Sequence, residues 1–167
     1  MTKWLSEYEQ DVWKRMAAVL ELLPSALDGQ LGRDEDLTHF EYFALASLSE
    51  APDRTMRITA LASQTNATLP RLSRVLTGLE KKGLVERSEC PEDRRAKNVT
   101  LTEAGWSKLV GAAPGHVDYV RSMIFDQLTE QQVRELSEIT TRLLEKLDPD
   151  NRMFAALGKQ RGLTADA

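Results

Sequence analysis

The 167-residue chain contains one cysteine, Cys90, so no disulfide can form within it and no cysteine-rich zinc site can be built from it. Histidine is nearly as scarce. His39 and His116 lie far apart in sequence, and Asp118 beside the second has no further ligand near it, so neither a metal nor a cofactor is expected. Charge interrupts every apolar stretch within a few positions, and the opening residues Met1 to Leu5 hold one basic residue and no apolar run. No signal peptide and no membrane span are therefore expected, and the single thiol fits a reducing, cytoplasmic compartment. Catalytic signatures are missing too. There is no glycine-rich phosphate loop, no Gly-x-Ser-x-Gly elbow and no histidine in a catalytic pair, so an enzyme is not expected.

What is present is ordinary in bulk and uneven in detail. Hydrophobic residues make up 41% and charged residues 29%, enough to bury a substantial core. The net charge of -4 argues against nucleic acid as a partner, because DNA affinity rests on neutralising phosphates. The distribution argues the other way. Between Arg71 and Lys97, eight basic residues face five acidic ones, leaving -7 on the rest of the chain. A basic segment on an acidic body suits a DNA-reading surface; a solvated charged face is the alternative that charge alone leaves open.

Periodicity divides the chain into elements. Trp4, Leu5, Tyr8, Val12, Met16, Val19, Leu20, Leu23 and Leu27 recur every three or four positions, predicting a long amphipathic helix with Pro24 as a potential kink. Asp28 to Asp36, with two glycines, reads as a loop. Thr38 and Glu41 form a capping box for a second helix ending before Pro52. Met56 and Arg57 suit a very short strand, and Ile58 to Thr65 a short helix with Ile58, Leu61 and Ala62 on one face. Thr68 caps the next helix, Pro70 sits harmlessly in its first turn, and Lys81, Lys82 and Gly83 mark its end. Leu84 to Ser88 and Lys97 to Leu101 alternate as strands do, around a charged tip from Cys90 to Arg95. Thr102 caps a helix that Pro114 and Gly115 should break or bend, and Thr129 with Gln132 caps a last helix carrying Val133, Leu136, Ile139, Leu143 and Leu147, which Pro149 ends.

Two short helices joined by a tight turn and followed at once by a basic-tipped hairpin make a winged helix-turn-helix. A helix fits the major groove of DNA while the hairpin reaches the neighbouring backbone or minor groove. The expected fold is mainly α with a small β-hairpin wing, flanked by amphipathic N- and C-terminal helices. The divisions fall at 1–37 (N-terminal helix and loop), 38–102 (winged helix-turn-helix domain), 103–157 (C-terminal helices) and 158–167 (a mobile tail), and the terminal helices become dimerisation helices only through the family resemblance that follows from the motifs. In the second helix of the motif Leu69, Leu72, Val75 or Leu76, and Leu79 take the buried side, leaving Arg71, Ser73, Arg74, Thr77 and Gly78 outward. Arginine can grip guanine with two hydrogen bonds, and serine or threonine can bond a base or a phosphate. Gly78 inside a helix costs about 1 kcal/mol against alanine, which invites close approach of DNA or a second helix as its reason; plain drift is the alternative.

The run Leu79-Glu-Lys-Lys-Gly83-Leu-Val85, then Asp93-Arg-Arg-Ala-Lys97, then Leu101-Thr102-Glu-Ala-Gly105 resembles the MarR family of bacterial transcription regulators, with similarity from the first long helix to about Pro149. The resemblance implies a homodimer with interlocked terminal helices and two winged lobes on a palindromic operator in double-stranded DNA. It also implies a repressor, released in many members by a small phenolic or lipophilic effector. Position by position it implies DNA contacts from Thr68, Arg71, Ser73, Arg74 and Thr77 on the recognition helix, and from Asp93, Arg94, Arg95 and Lys97 on the wing. Asp93 would orient an arginine entering the minor groove; Arg95 is favoured for insertion and Arg94 for phosphate, with the reverse open. Trp13, Tyr42, Phe43, His116 and Tyr119 lie on elements that line the effector cleft in similar proteins, although aromatics at helical spacing more often serve a core. Oxidation of Cys90 at the wing base would disturb DNA contact; a passive thiol is the alternative. The acidic total keeps two other readings open: a winged-helix protein-interaction module without DNA binding, and a nonspecific architectural DNA binder.

Overall fold

In the computed structural model residues 1–91 and 93–153 are described, with Arg94 as backbone alone. The tail expected at 158–167 and the last residues of the 103–157 segment lie outside them. The elements run α1 (Glu7–Glu35), α2 (His39–Ser49), β1 (Thr55–Arg57), α3 (Ile58–Gln64), α4 (Leu69–Lys81), β2 (Val85–Cys90), β3 (Asp93–Leu101), α5 (Glu103–Met123) and α6 (Glu130–Leu147), with 3-10 turns at Pro52–Arg54 and Phe125–Gln127. The fold is thus mainly α, with the strands in one antiparallel sheet of order β1-β3-β2.

The local signals explain most boundaries. Thr38 accepts the Glu41 N–H while the Glu41 carboxylate takes the Thr38 N–H, closing the capping box of α2, and Thr129 and Gln132 do the same for α6. Gly83 ends the recognition helix at φ +71, the left-handed region in which glycine is unstrained.

Three expectations are corrected. Asp28 to Asp36 is not a loop: α1 continues to Glu35. The two glycines weaken that stretch, yet Leu27, Gln30 and Leu31 carry the helical period forward onto the core, and Leu31 is fully buried. Glu35 also pairs with Lys108 of α5 at 2.7 Å. Pro114 and Gly115 do not interrupt α5, which runs unbroken to Met123. The carbonyl that proline deprives of a partner belongs to the exposed Val110, where water can satisfy it. The wing strands extend to Cys90 and Asp93, which pair with each other, so the expected six-residue tip is shortened by a paired position at one end and by the start of β3 at the other. The register shifts there: Glu89 faces Lys97 and Cys90 faces Asp93, so residues four apart on β3 oppose neighbours on β2. The excess chain at Arg94 to Ala96 is an irregularity of the bulge kind, which twists a hairpin and redirects its side chains.

The core joins α1 to the winged domain and to α5. Leu31, Leu37, Leu45, Leu48, Leu61, Leu72, Leu76, Leu79, Val99 and Leu109 pack together. On α4 the buried side is Leu72, Leu76 and Leu79, with Val75 half-buried. Leu69, expected inside, is 49% exposed, because the whole first turn from Thr68 to Arg71 projects beyond the core.

The Leu101-Thr102-x-x-Gly105 stretch has a specific mechanical use. Leu101 is buried; Thr102 Oγ1 accepts the Gly105 N–H at 3.0 Å as the α5 cap and donates to the Gly83 carbonyl at 2.7 Å. The Thr102 N–H donates to the Leu84 carbonyl at 3.1 Å. A Cβ on Gly105 would overlap that same Leu84 carbonyl and lie 2.6 Å from Leu101 Cδ1. Backbone cannot give way as a flexible side chain can, so Gly105→Ala is expected to destabilise the fold by about 1 to 3 kcal/mol, measured by urea unfolding, whereas Gly111→Ala, with nothing near its added methyl, should not destabilise it.

Candidate nucleic-acid interface

The face built by α4 and the wing carries the sequence-predicted contacts in two groups. Arg71, Ser73 and Arg74 are exposed on the first two turns of α4. Thr68 is exposed as well, but its hydroxyl already accepts the Arg71 N–H at 3.4 Å as the helix cap. Thr77 is half-buried and donates to the Ser73 carbonyl at 2.9 Å, a back-bond that occupies its proton. On the wing, Asp93 Oδ1 accepts the Arg95 backbone N–H at 3.0 Å, leaving the Arg95 side chain exposed. The aspartate thus acts on the backbone of the turn. Lys97 pairs with Glu89 across the ladder at 3.2 Å, both side chains being largely exposed.

Arg71 is more ordered than a surface arginine. Its guanidinium lies 4.3 Å from the centroid of the Phe40 ring on α2, a cation–π contact that holds the plane while leaving its N–H edges available. Phe40 carries no sequence signal for this, since an aromatic at the start of a helix reads equally as core. Arg87 and Glu80 also went unnoticed in the sequence. The Arg87 side chain donates to Glu80 Oε2 at 3.1 and 2.7 Å, holding the Glu80 carboxyl below its usual range through those bonds and through the Arg87 backbone N–H. Opposite charges seven residues apart across the Gly83 turn were the signal that could have found them. Gly78 has no neighbour that forbids a side chain: the nearest atom to an added Cβ is Glu41 Oε1 at 3.8 Å, ordinary contact, so no helix of the same chain explains it.

Cys90 is corrected in position. It ends β2 next to the tip, and is buried, with Arg57 Nη2 3.8 Å from its sulfur. That setting shields the thiol and favours the passive reading.

The residues expected around an effector cleft divide. His116 of α5 is buried, its ring 4.4 Å from that of Tyr42 and 5.9 Å from that of His39, and its Nδ1 is 3.2 Å from Gln30 Oε1. Phe43 instead lines a cavity of about 290 Å³ with Pro24, Ser25, Asp28, His39, Phe40 and Arg71. Tyr119 is half-buried on α5. Trp13 lies on an exposed apolar stripe with Leu5, Tyr8, Val12 and Met16, roughly 25 Å along α1 from Gln30 at the helical rise. Within one chain, then, the five do not line a common cavity. The two histidines are brought together, but among the described residues no three His, Cys, Asp or Glu side chains converge to hold a metal ion.

A short helix with exposed arginines on its first turns, followed by a hairpin presenting a further arginine, defines a winged-helix DNA-binding domain. Comparison with known proteins agrees. Residues 37–97 match the model of the MarR family. The fold is similar to that of Sco3205, a MarR family transcriptional regulator from Streptomyces coelicolor solved in complex with DNA. That match has 42% identity and a TM-score of 0.85, covering 89% of this chain and 93% of that one. It is also similar to AbsC, a MarR family transcriptional regulator of the same organism, at 35% identity and TM-score 0.81 over 87% and 98% of the two chains. YdcH, an HTH-type transcriptional regulator of Bacillus subtilis, is 38% identical over 81 residues, 47% of this chain and 55% of that protein. The chain belongs to the MarR family and is a transcription regulator rather than an enzyme. Among the described residues no helix is long and apolar enough to cross a membrane.

The histidine cluster has a pH consequence. Burial lowers the pKa of both rings; His39 lowers that of His116 further, while Asp28 opposes the shift at His39. Folded rings that resist protonation are matched by unfolded rings that accept it below the ordinary value of 6.5, so their contribution is present above that pH and lost as pH falls. The melting temperature is expected to drop as pH falls from about 7.5 to about 5.5, and His116→Gln should flatten that drop. A wild-type curve that is flat, or one that His116→Gln leaves unaltered, would show that the cluster does not titrate in this window.

Proposed function

We propose that this regulator binds a palindromic operator as a homodimer and acts as a repressor. The observation that carries the dimer is a set of apolar helix faces left exposed among the described residues. No residue of α6 is buried, yet Leu136, Ile139, Leu143 and Leu147 follow the helical period along one side. Tyr8, Val12, Trp13, Met16, Val19 and Leu20 do the same along the N-terminal half of α1, and Val117, Met123 and Phe125 add to the end of α5 and the turn after it. Faces of this size on a soluble chain call for a partner, and a second copy supplies matching faces on both terminal segments. These segments, 1–37 and 103–157, serve dimerisation, and 38–102 serves DNA.

On each lobe Arg71 and Arg74 read base edges in the major groove, with Thr68 and Ser73 toward phosphate or base, while the Thr77 hydroxyl is held by the Ser73 carbonyl and Arg87. Arg95 enters the minor groove of the flanking sequence, its backbone fixed by Asp93, while Arg94 and Lys97 serve phosphates. A narrow A·T-rich groove attracts the inserted guanidinium most. The finer part of the reading is release by a small lipophilic or phenolic effector. The cavity beside His39, Phe40 and Arg71 supports it, because an aromatic guest there meets the ring on which Arg71 rests. Release requires that the guest bind the DNA-free arrangement more tightly, since equal affinity shifts nothing.

Light scattering is expected to give twice the 18.8 kDa chain mass, and Ile139→Asp with Leu143→Asp to give the monomer. In mobility-shift titrations the wild type should select one palindrome with half-sites about one helical turn apart and lose affinity steeply with salt. Arg74→Ala should cost about 1 to 3 kcal/mol and relax preference at one base pair, whereas Arg95→Ala should erase the preference for A·T-rich flanks. Salt-independent or sequence-blind binding would refute the reading.

A further inference from the structure

The recognition helix and the wing share a second attachment besides the core. Arg87, in the middle of β2 opposite the buried Val99, turns back toward α4. Its Nε and Nη2 donate to Glu80 Oε2 at 3.1 and 2.7 Å, its backbone N–H donates to Glu80 Oε1 at 3.2 Å, and Nη2 also donates to Thr77 Oγ1 at 3.1 Å. One guanidinium therefore joins two positions on neighbouring turns of α4 to the strand that leads to the wing tip. An exposed ion pair with a single contact contributes little to stability. This one differs in geometry: Nε and Nη2 converge on Glu80 Oε2, Nη2 also reaches Thr77, and a backbone bond fixes the strand as well as the side chain.

We propose that Arg87 is a positioning residue for operator binding: with Glu80 and Thr77 it locks the wing at a set angle to the recognition helix, so that both reach adjacent grooves in register. The proposal rests on the DNA-binding reading above. Its physical basis is preorganisation. A hairpin held only at its root swings, and ordering it on DNA costs affinity that a locked hairpin keeps. A wing at a fixed angle also favours sequences whose grooves meet it there, so the lock contributes to discrimination as well as to strength.

A rival role for Arg87, direct neutralisation of a phosphate, makes the opposite prediction at Glu80. If Arg87 serves as a free cation for DNA, Glu80 competes for it and repels the backbone, and its removal tightens binding. If Arg87 positions the wing, Glu80 is half of the lock, and its removal weakens binding.

The test uses the full chain and a palindromic duplex selected by the wild type from a randomised pool, with random duplex as the competitor. Fluorescence anisotropy compares wild type, Glu80→Ala, Arg87→Ala, the double alanine variant and the exchanged pair E80R/R87E, with melting temperature and hydrogen exchange of the 85–101 hairpin measured on the free proteins. Each single alanine variant is expected to bind the selected duplex about tenfold more weakly, the double variant no worse than either, and the exchanged pair to recover most of the loss. Random-duplex binding should fall less, so the specificity ratio drops; a variant that had merely lost folded protein would fall equally on both. Hairpin amides should exchange faster in the single variants without DNA, which reports the lock independently of the DNA reading. Binding by Glu80→Ala as tight as wild type or tighter, or losses that add in the double variant, overturns the positioning role while leaving the DNA reading intact. A wild type that selects no duplex overturns both.

Discussion

Much of the structure hangs on one junction, where the Leu84 carbonyl lies under Gly105 and the Thr102 hydroxyl reaches the Gly83 carbonyl. Four backbone directions meet there: the end of the recognition helix, the root of the first wing strand, the end of the second, and the start of α5. Because the bonds run from backbone to backbone or through a single short hydroxyl, little slack remains. A tilt of α5 is therefore passed to the helix and wing together. Leu79, Leu84, Leu101 and Leu109 belong to the buried cluster that anchors these chain ends from the core side, while the Thr102–Gly83 bond itself lies at the surface.

From that junction the two parts of the molecule follow different physics. The winged domain is closed by a core that Leu31 of α1 and Leu109 of α5 complete, and its arginines are ordered by neighbours: Arg71 by the Phe40 ring, Arg87 by Glu80 and Thr77, and the Arg95 backbone by Asp93. The terminal helices are not closed. Leu27, Leu31 and Leu109 reach the core, but among the described residues the apolar side of α6 and of the N-terminal half of α1 is exposed, and helices gain most of their stability when such a side is buried. The acidic total charge sits with this second part, outside the basic stretch between Arg71 and Lys97, so the protein can be acidic overall and still present a basic reading face.

Between the two parts lie the histidines. Gln30 near the end of α1, His39 and Tyr42 on α2 and His116 on α5 meet where the extended first helix crosses the winged domain. They are legible only once α1 is seen to continue through Gly29 and Gly32. The glycines and charges of that stretch outweighed, in a reading by composition, a helical period that Leu27 and Leu31 carried on unbroken. Tertiary burial overrode local propensity there, whereas at Pro114 solvent access to the Val110 carbonyl let the helix continue.

By itself the sequence determined whatever depends on a residue's near neighbours in the chain. Capping boxes at Thr38 and Thr129, the left-handed stop at Gly83, the alternation of the wing strands and the Asp93-Arg94-Arg95 tip are local chemistry, and through them the winged fold and its family were legible. Only the tertiary structure decided which residues at long range share one place. Arg71 rests on Phe40, and His116 on Tyr42. Cys90 is buried beside Arg57, and the Trp13 stripe stands far from the cluster it was grouped with. The reason is that caps and turns are set within three or four residues by backbone geometry. A contact between residues tens of positions apart depends on how helices of fixed length cross a shared core, and no residue carries that information alone.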